Sequence, residues 1–272
     1  MSFARGVNRL LSPLGLRIVR TAYWDNVISA RDKEGVTPKD RATSVVQAIV
    51  NREVDIVPAM IVLFKDLNVV AQLRAADSSV RWVHANADDV APFRDRGSLI
   101  DKVATGVLID GDVVEFGVYT GAVTRRLHPL LPKRLYHAFD AFLGVPKGMA
   151  LSVGQDSFTL GGKIPDLPKD VIVHAGWFTD TIPEYLAKFG NPVALAYIDC
   201  DLYESVKTVL DGITGRLQVG SILIFDDWYN FPNWQEHSYR ALNEMILGST
   251  LKFRPIGWST TDHAVAFQCF ET

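Results

Sequence analysis

Apolar and polar residues alternate in two different rhythms along this chain. In the first third the apolar positions recur with a helical period. Residues 37–52 place Ala42, Val45, Val46, Ile49 and Val50 on one stripe, behind a Thr37-Pro38-Lys39-Asp40 start that reads as an N-cap with proline in the first turn. Residues 55–74 continue that period through Met60, Leu63, Leu67, Val70 and Leu73. Residues 86–97 are largely polar and read as loop or short helix. Residues 98–106, with Ile100, Val103 and Ala104, read as a helix packed just before the first strand.

From Gly111 the rhythm becomes short apolar runs separated by helical stretches. Strands are expected at 113–116, 135–139, 171–175, 193–198 and 221–225, and helices at 122–131, 183–189, 203–213 and 236–247. Two further strands, 251–256 and 264–269, are joined by the polar turn 259–263 and so form a hairpin. Strand–helix alternation marks a mostly parallel sheet with helices on both faces. The reading is therefore α/β: a Rossmann-like sheet of seven strands with a C-terminal antiparallel hairpin, plus an N-terminal helical segment. A boundary near residue 90 divides a helical region, 1–90, from a sheet domain, 91–272. No internal repeat or low-complexity stretch is visible.

Composition narrows the classes open to such a fold. At 272 residues and 48% hydrophobic content the chain can bury a large core, and its net charge of −3 gives no electrostatic footprint for nucleic acid. Two cysteines, Cys200 and Cys269, are too few for a disulfide framework, so a reducing, cytoplasmic setting is expected. No run reaches the roughly 18 apolar residues of a spanning helix; the longest candidate, 56–64, stops at Lys65. Residues 1–20 carry Arg5, Arg9, Arg17 and Arg20 and no acid, with Leu10, Leu11, Leu14, Leu16, Ile18 and Val19 between them. That arm reads as solvated and packed on the core or a partner subunit, with peripheral membrane contact as the alternative; Pro13 and Gly15 interrupt it. Exposed apolar faces on the N-terminal helices would make the protein a homo-oligomer.

The chemistry concentrates at strand ends. V-V-E-F-G-V-Y-T-G (113–121) puts Glu115 and two glycines where a strand turns into a helix. Gly117 and Gly121 flank Val118, Tyr119 and Thr120, so the backbone can bend sharply towards a ligand while the following helix offers free N–H groups. That is a nucleotide-type cofactor loop in outline. Asp140, at the end of the second strand and roughly twenty residues beyond, stands where a carboxylate meets ribose hydroxyls in dinucleotide folds.

Two later stretches, I-D-C-D-L-Y-E-S (198–205) and F-D-D-W (225–228), cluster Asp199, Asp201, Asp226 and Asp227. Carboxylates gathered without a counter-charge repel, and a divalent cation removes the penalty. Oxygen-only ligands select a hard ion such as Mg²⁺ or Ca²⁺, with Mn²⁺ in range. Asp199 and the Asp226-Asp227 pair meet at one rim if the fourth and fifth strands are neighbours. Asp201 opens D-L-Y-E, a capping-box-like pattern, and is the one member readable as a helix cap.

Taken with F-D-A-F-L-G-V-P (139–146) and G-W-F-T-D-T-I-P (176–183), these motifs resemble, in order and spacing, the macrocin O-methyltransferase family of class I S-adenosylmethionine-dependent enzymes. The resemblance covers residues 90–270. It implies S-adenosylmethionine and Mg²⁺ as cofactors, with Asp199, Asp226 and Asp227 as metal ligands. It further implies Glu115, Gly117, Tyr119 and Gly121 in the methionine-side loop, with Thr120 between them, Asp140 on the ribose, and Gly176, Trp177 and Phe178 beside the adenine.

The expected activity is methyl transfer to a hydroxyl, of a sugar moiety in a natural product or glycoconjugate. A hydroxyl is a poor nucleophile at neutral pH, and a bound Mg²⁺ lowers its pKa and orients it. Asp199 is the first candidate to accept the proton, as ligand and base, Asp201 the second and His237 the third. Residues 149–168 are a candidate lid, and Y-N-F-P-N-W (229–234) is aromatic enough to stack on a ring or to form a packed corner. Two other classes stay open. A nucleotide-cofactor oxidoreductase of the NAD type is disfavoured by Tyr119-Thr120 where the pyrophosphate needs glycine. A non-catalytic membrane-surface partner protein would use the arginine-rich arm.

Overall fold

The protein is described from a computed structural model, and the described residues are 65–146 and 158–272. The arginine-rich arm and the helix expected at 37–52 lie outside the described residues, as does part of the candidate lid. The chain divides into two compact units, Met1–Asp77 and Ser78–Thr272. Of the first, the described part is the start of helix α1 (Leu67–Asn86), which runs past the expected end at Arg74. No helix among the described residues is long and apolar enough to cross a membrane.

The second unit is built on one sheet. Its strands in chain order are β1 (Pro92–Phe93), β2 (Asp112–Phe116), β3 (Tyr136–Asp140), β4 (Val171–Ala175), β5 (Val193–Ile198), β6 (Ile222–Phe225), β7 (Lys252–Ser259) and β8 (Val265–Glu271). The order across the sheet is β1-β7-β8-β6-β5-β2-β3-β4. All neighbours are parallel except β6 with β8 and β7 with β8. The expected seven strands and antiparallel hairpin are present. An eighth strand, β1, adds two residues to the edge beside β7, in the polar stretch read as loop or short helix; too short to show a period, it gave the sequence pattern no signal.

Every residue of β2, β5 and β6 is buried, as strands covered on both faces must be. The helices are α2 (Arg96–Ala104), α3 (Ala122–Leu127), α4 (Phe178–Lys188), α5 (Tyr203–Ile213) and α6 (Ser238–Leu247). Helix α3 is shorter than expected because His128-Pro129-Leu130 tightens into a 3₁₀ turn. Helix α4 starts five residues before the expected Pro183, which stands inside it. The carbonyl of Trp177 closes the first turn by accepting from Asp180 N, Thr181 N and Thr181 Oγ1, so the helix is established before the proline removes one donor.

The second half of α1 is held by aromatic packing. Trp82 meets Trp228 edge-on at 5.5 Å between ring centroids, with Tyr229 at 6.1 Å and Phe267 at 6.2 Å. Ser78 Oγ accepts from Trp234 Nε1 at 2.9 Å, and Ser79 Oγ from the backbone N–H of Asn230 at 2.8 Å. Tyr229 and Trp234 are buried, so two of the three aromatic rings of the stretch 229–234 stand in a packed corner. Trp82→Ala is expected to destabilise this unit by about 3 kcal/mol or more in urea unfolding, because it removes the ring at the centre of that cluster.

Candidate active site

Ladder hydrogen bonds continue one step past the strand ends and bring three loops together. Gly117 N–H donates to Phe139 O at 3.0 Å, Asp199 N–H to Phe116 O at 2.9 Å, and Asp226 N–H to Ile198 O at 3.0 Å. Since β5 pairs with β6, with Ile198 opposite Phe225, Asp199 and the Asp226-Asp227 pair leave the sheet side by side. Gly117 has φ +88°, and a Cβ there would lie 1.7 Å from the carbonyl oxygen of Asp199. Only glycine fits both the dihedral and the contact.

Beyond Gly117 the loop is held by Asp140. Its Oδ2 accepts from Val118 N at 2.8 Å and Tyr119 N at 2.7 Å, and its Oδ1 from Phe142 N at 2.6 Å. Tyr119 is fixed at φ 46° and Gly121 at φ 78°, where Gly121 caps α3. A Cβ on Gly121 would come within 2.3 Å of Leu167. Glu115 lies beneath the loop, fully buried, with Oε2 accepting from Thr124 Oγ1 at 2.7 Å and Tyr136 Oη at 2.6 Å. Burial raises its carboxyl to about pH 7, against the two hydroxyl hydrogen bonds that lower it.

One carboxylate oxygen from each of Asp199, Asp226 and Asp227 lies within 4.8 Å of the others. Asp226 is paired: Arg96 Nη1 donates to its Oδ1 at 2.9 Å and Oδ2 at 2.7 Å, and the buried Tyr197 hydroxyl donates to Oδ1. Asp199 has no side-chain hydrogen bond among the described residues. Burial and then the neighbouring Asp226, Asp227 and Asp201 push its carboxyl well above the ordinary range. Burial, Asp226 and Asp201 raise Asp227 to about 7, and Asp201, at φ 55°, shares a hydrogen bond with Asp227.

These groups line one cavity of about 420 Å³. Of the residues singled out in the sequence, Gly117, Tyr119, Thr120, Asp140, Gly176, Trp177, Phe178, Asp199, Asp201, Asp226 and Asp227 line it. Glu115 and Gly121 do not. Glu115 lies under the loop, held by Tyr136 and Thr124, and Gly121 is buried as the turn into α3. His237 does not line the cavity either, and its Nδ1 is buried without a partner among the described residues.

From the lid stretch, Phe158 lines the cavity and meets the Tyr119 ring edge-on at 5.7 Å. Sequence reasoning missed Arg96 and Tyr197. The arginine belongs to no motif, and a tyrosine inside an apolar strand reads as core.

Residues 114–228 match the family model of a methyltransferase domain, fewer than half of the 272 residues but the whole stretch from the glycine loop to the Asp226-Asp227 pair. Demethyldecarbamoylnovobiocin O-methyltransferase of Streptomyces niveus is 26% identical over 49% of this chain and 59% of its own length. 8-Demethyl-8-(2,3-dimethoxy-alpha-L-rhamnosyl)-tetracenomycin-C 4'-O-methyltransferase of Streptomyces olivaceus is 30% identical over 44% of this chain and 54% of its own length. The chain thus spans little more than half of these curated relatives. Among solved structures, the O-methyltransferase NovP superposes with a TM-score of 0.49 at 22% identity, covering 64% of this chain and 79% of that one.

Gly117→Ala is expected to cost about 3 kcal/mol or more, because the Cβ meets backbone that can yield only by moving Asp199; urea unfolding measures it. Glu115 makes a second prediction. Its folded-state pKa of about 7 stands above the ordinary 4.5, so the folded protein binds the extra proton between those values. Stability is fully present below the lower value and falls as pH rises towards 7, by at most about 1.4 kcal/mol per pH unit. Glu115→Gln, which can still accept both hydroxyls, removes that component: the difference in unfolding free energy between variant and wild type should grow from pH 4.5 to 7 in favour of the variant.

Proposed function

We propose that this protein is an S-adenosylmethionine-dependent, Mg²⁺-assisted O-methyltransferase, its machinery in residues 91–272, acting on a hydroxyl of a sugar moiety in a natural product or glycoconjugate. The observation that carries the reading is the junction at Gly117. One backbone contact places a loop shaped for a nucleotide-type cofactor against a cluster of three carboxylates, in a single cavity. The methyltransferase match over 114–228 supports the cofactor, and the sugar-natural-product relatives support the acceptor class. The macrocin-type motifs narrow it in the same direction.

The residues fit a hard divalent cation. All the donors are oxygen, Asp199 has no hydrogen-bond donor among the described residues, and the one guanidinium lining the cavity among them is paired with Asp226, while burial disfavours ionisation of Asp199 and Asp227. Asp199, Asp226 and Asp227 would hold it. When bound, the cofactor would supply an electrophilic sulfonium methyl and the cation would lower the pKa of a hydroxyl held beside it.

The remaining work falls to the chain. Val118 and Tyr119 N–H, tied to Asp140, fix the loop that seats the cofactor, and Asp140 Oδ1, with one donor, keeps acceptor capacity for a ribose hydroxyl. Trp177 and Phe178, at the start of α4, offer aromatic faces for the adenine. Methyl transfer would form the oxygen–carbon bond as the sulfur–methyl bond breaks and the sulfur leaves as a neutral thioether, while the acceptor's proton passes to a carboxylate, Asp199 first or Asp201.

Incubation with S-adenosylmethionine, Mg²⁺ and a panel of sugars, glycolipids and glycosylated natural products should add one CH₂ to an acceptor, read by mass spectrometry. Asp199→Asn is expected to lower turnover by about a hundredfold or more while leaving S-adenosylmethionine binding in place. Chelation should abolish turnover and Mg²⁺ restore it. A chain that binds NADH and no S-adenosylmethionine would overturn the reading.

A further inference from the structure

We infer that Arg96 is an ion-selectivity residue: together with Tyr197 it leaves Asp226 a single coordinating lone pair, which biases the carboxylate cluster towards a small octahedral ion and against Ca²⁺. The inference rests on the cation reading of the site and concerns which ion that site prefers.

A carboxylate offers about four lone-pair directions, two on each oxygen. On Asp226, Oδ1 accepts from Arg96 Nη1 at 2.9 Å and from the Tyr197 hydroxyl, and Oδ2 accepts from the same Nη1 at 2.7 Å. Three directions are filled, and the fourth belongs to Oδ2. The Nη1 atom, within hydrogen-bond reach of both oxygens, occupies the position between them that a bidentate cation would take. Ca²⁺ fills six to eight positions at 2.3–2.6 Å and uses bidentate carboxylates to reach that number, whereas Mg²⁺ needs six at 2.0–2.1 Å, keeps several waters and accepts one oxygen per carboxylate.

Neither donor is loosely held. Arg96 opens α2, where its backbone N–H donates to Asp262 Oδ2 at 2.7 Å, and the preceding residue, Asp95, caps the helix through Ser98 N at 2.8 Å. The helix is seated in turn by Leu99, whose side chain approaches Gly257 so closely that a Cβ there would lie 2.6 Å away. The hydroxyl of Tyr197 comes from the middle of the sheet, on a residue with no exposed surface. The Asp226 side chain is 12% exposed and the Arg96 side chain 43%, so water reaches the guanidinium from outside while the carboxylate is largely shielded.

A role limited to charge would act differently. Removing a cation next to the cluster strengthens attraction for any divalent ion alike, whereas unblocking a carboxylate oxygen favours the ion that can use it. The discriminating quantity is therefore the ratio of Ca²⁺ to Mg²⁺ dissociation constants, not either constant alone.

Titration calorimetry of the full chain with Mg²⁺ and with Ca²⁺, on wild type, Arg96→Met and Tyr197→Phe, reads that ratio without any turnover. The inference expects it to fall by about tenfold in Arg96→Met and to stay close to wild type in Tyr197→Phe, which leaves Nη1 between the two oxygens and the charge unchanged. Should Arg96→Met fail to fold by circular dichroism, Arg96→Ala, which also clears the position between the two oxygens, decides. Affinities for both ions that move together, with an unchanged ratio, would overturn the selectivity role and leave the proposed function intact. A wild type that binds neither ion overturns both the selectivity role and the cation half of the function, and S-adenosylmethionine titration then judges the other half.

Discussion

The carbonyl oxygen of Asp199 stands 1.7 Å from where a Cβ of residue 117 would be, and that contact fixes much of the site's geometry. Two adjacent parallel strands, β2 and β5, end in step and turn away from the sheet in opposite roles. One becomes the glycine loop, the other the run of acids from Asp199 to Asp201. They can leave together only because one of them lacks a side chain at the crossing. The Asp199 N–H bonded to Phe116 O holds the crossing from the other direction. A nucleotide-type loop and a carboxylate cluster are thus parts of one backbone junction, and displacing either moves the other.

Charge is the second constraint, and it works through burial. Glu115, Asp199, Asp201 and Asp227 all have carboxyls raised from their ordinary range, in each case with burial as the largest cause. The fold answers this differently on the two sides of Gly117. Under the loop, burial outweighs the two hydroxyl donors and favours a protonated Glu115, which suits a structural post. Among the described residues that line the cavity, Arg96 supplies the positive charge, directed at Asp226 through a close ion pair. A group that is sealed can hold a proton indefinitely. One that lines a cavity must exchange it for a proton or a cation from outside, and that difference separates support from chemistry here.

Elements with a long or strong period were legible in the sequence. Strands β4 and β5 and helix α5 have the expected bounds, and the hairpin of β7 and β8 could be read from two apolar runs around a polar turn. Errors fell where local chemistry overrode the period. Pro183 suggested a helix start, yet the start was set by the Trp177 carbonyl, a backbone acceptor that has no signature in sequence. Strand β1 is two residues long and exists because β7 offers it an edge.

The site was legible for a related reason. Its acids stand at strand ends, so finding the strands located them, and the pairing of β5 with β6 brought Asp199 to Asp226. Glu115 looked like its neighbours in sequence because the direction of a side chain relative to the loop is not encoded in spacing.

Arg96 shows the limit of motif reading most clearly. It precedes the first long strand, in a segment whose composition says only that a helix begins, and nothing in its neighbourhood names a partner 130 positions away. Its proximity to Asp226 depends on the parallel pairing of β1 with β7 and on α2 packing against Gly257, both consequences of the C-terminal hairpin. The hairpin is the feature that distinguishes this sheet from a uniformly parallel one. By turning β7 back along the edge it gives α2 a floor, and by placing α2 there it delivers a guanidinium to the carboxylate rim. The antiparallel end of the sheet, silent in any catalytic motif, therefore sets the charge and the coordination open at Asp226.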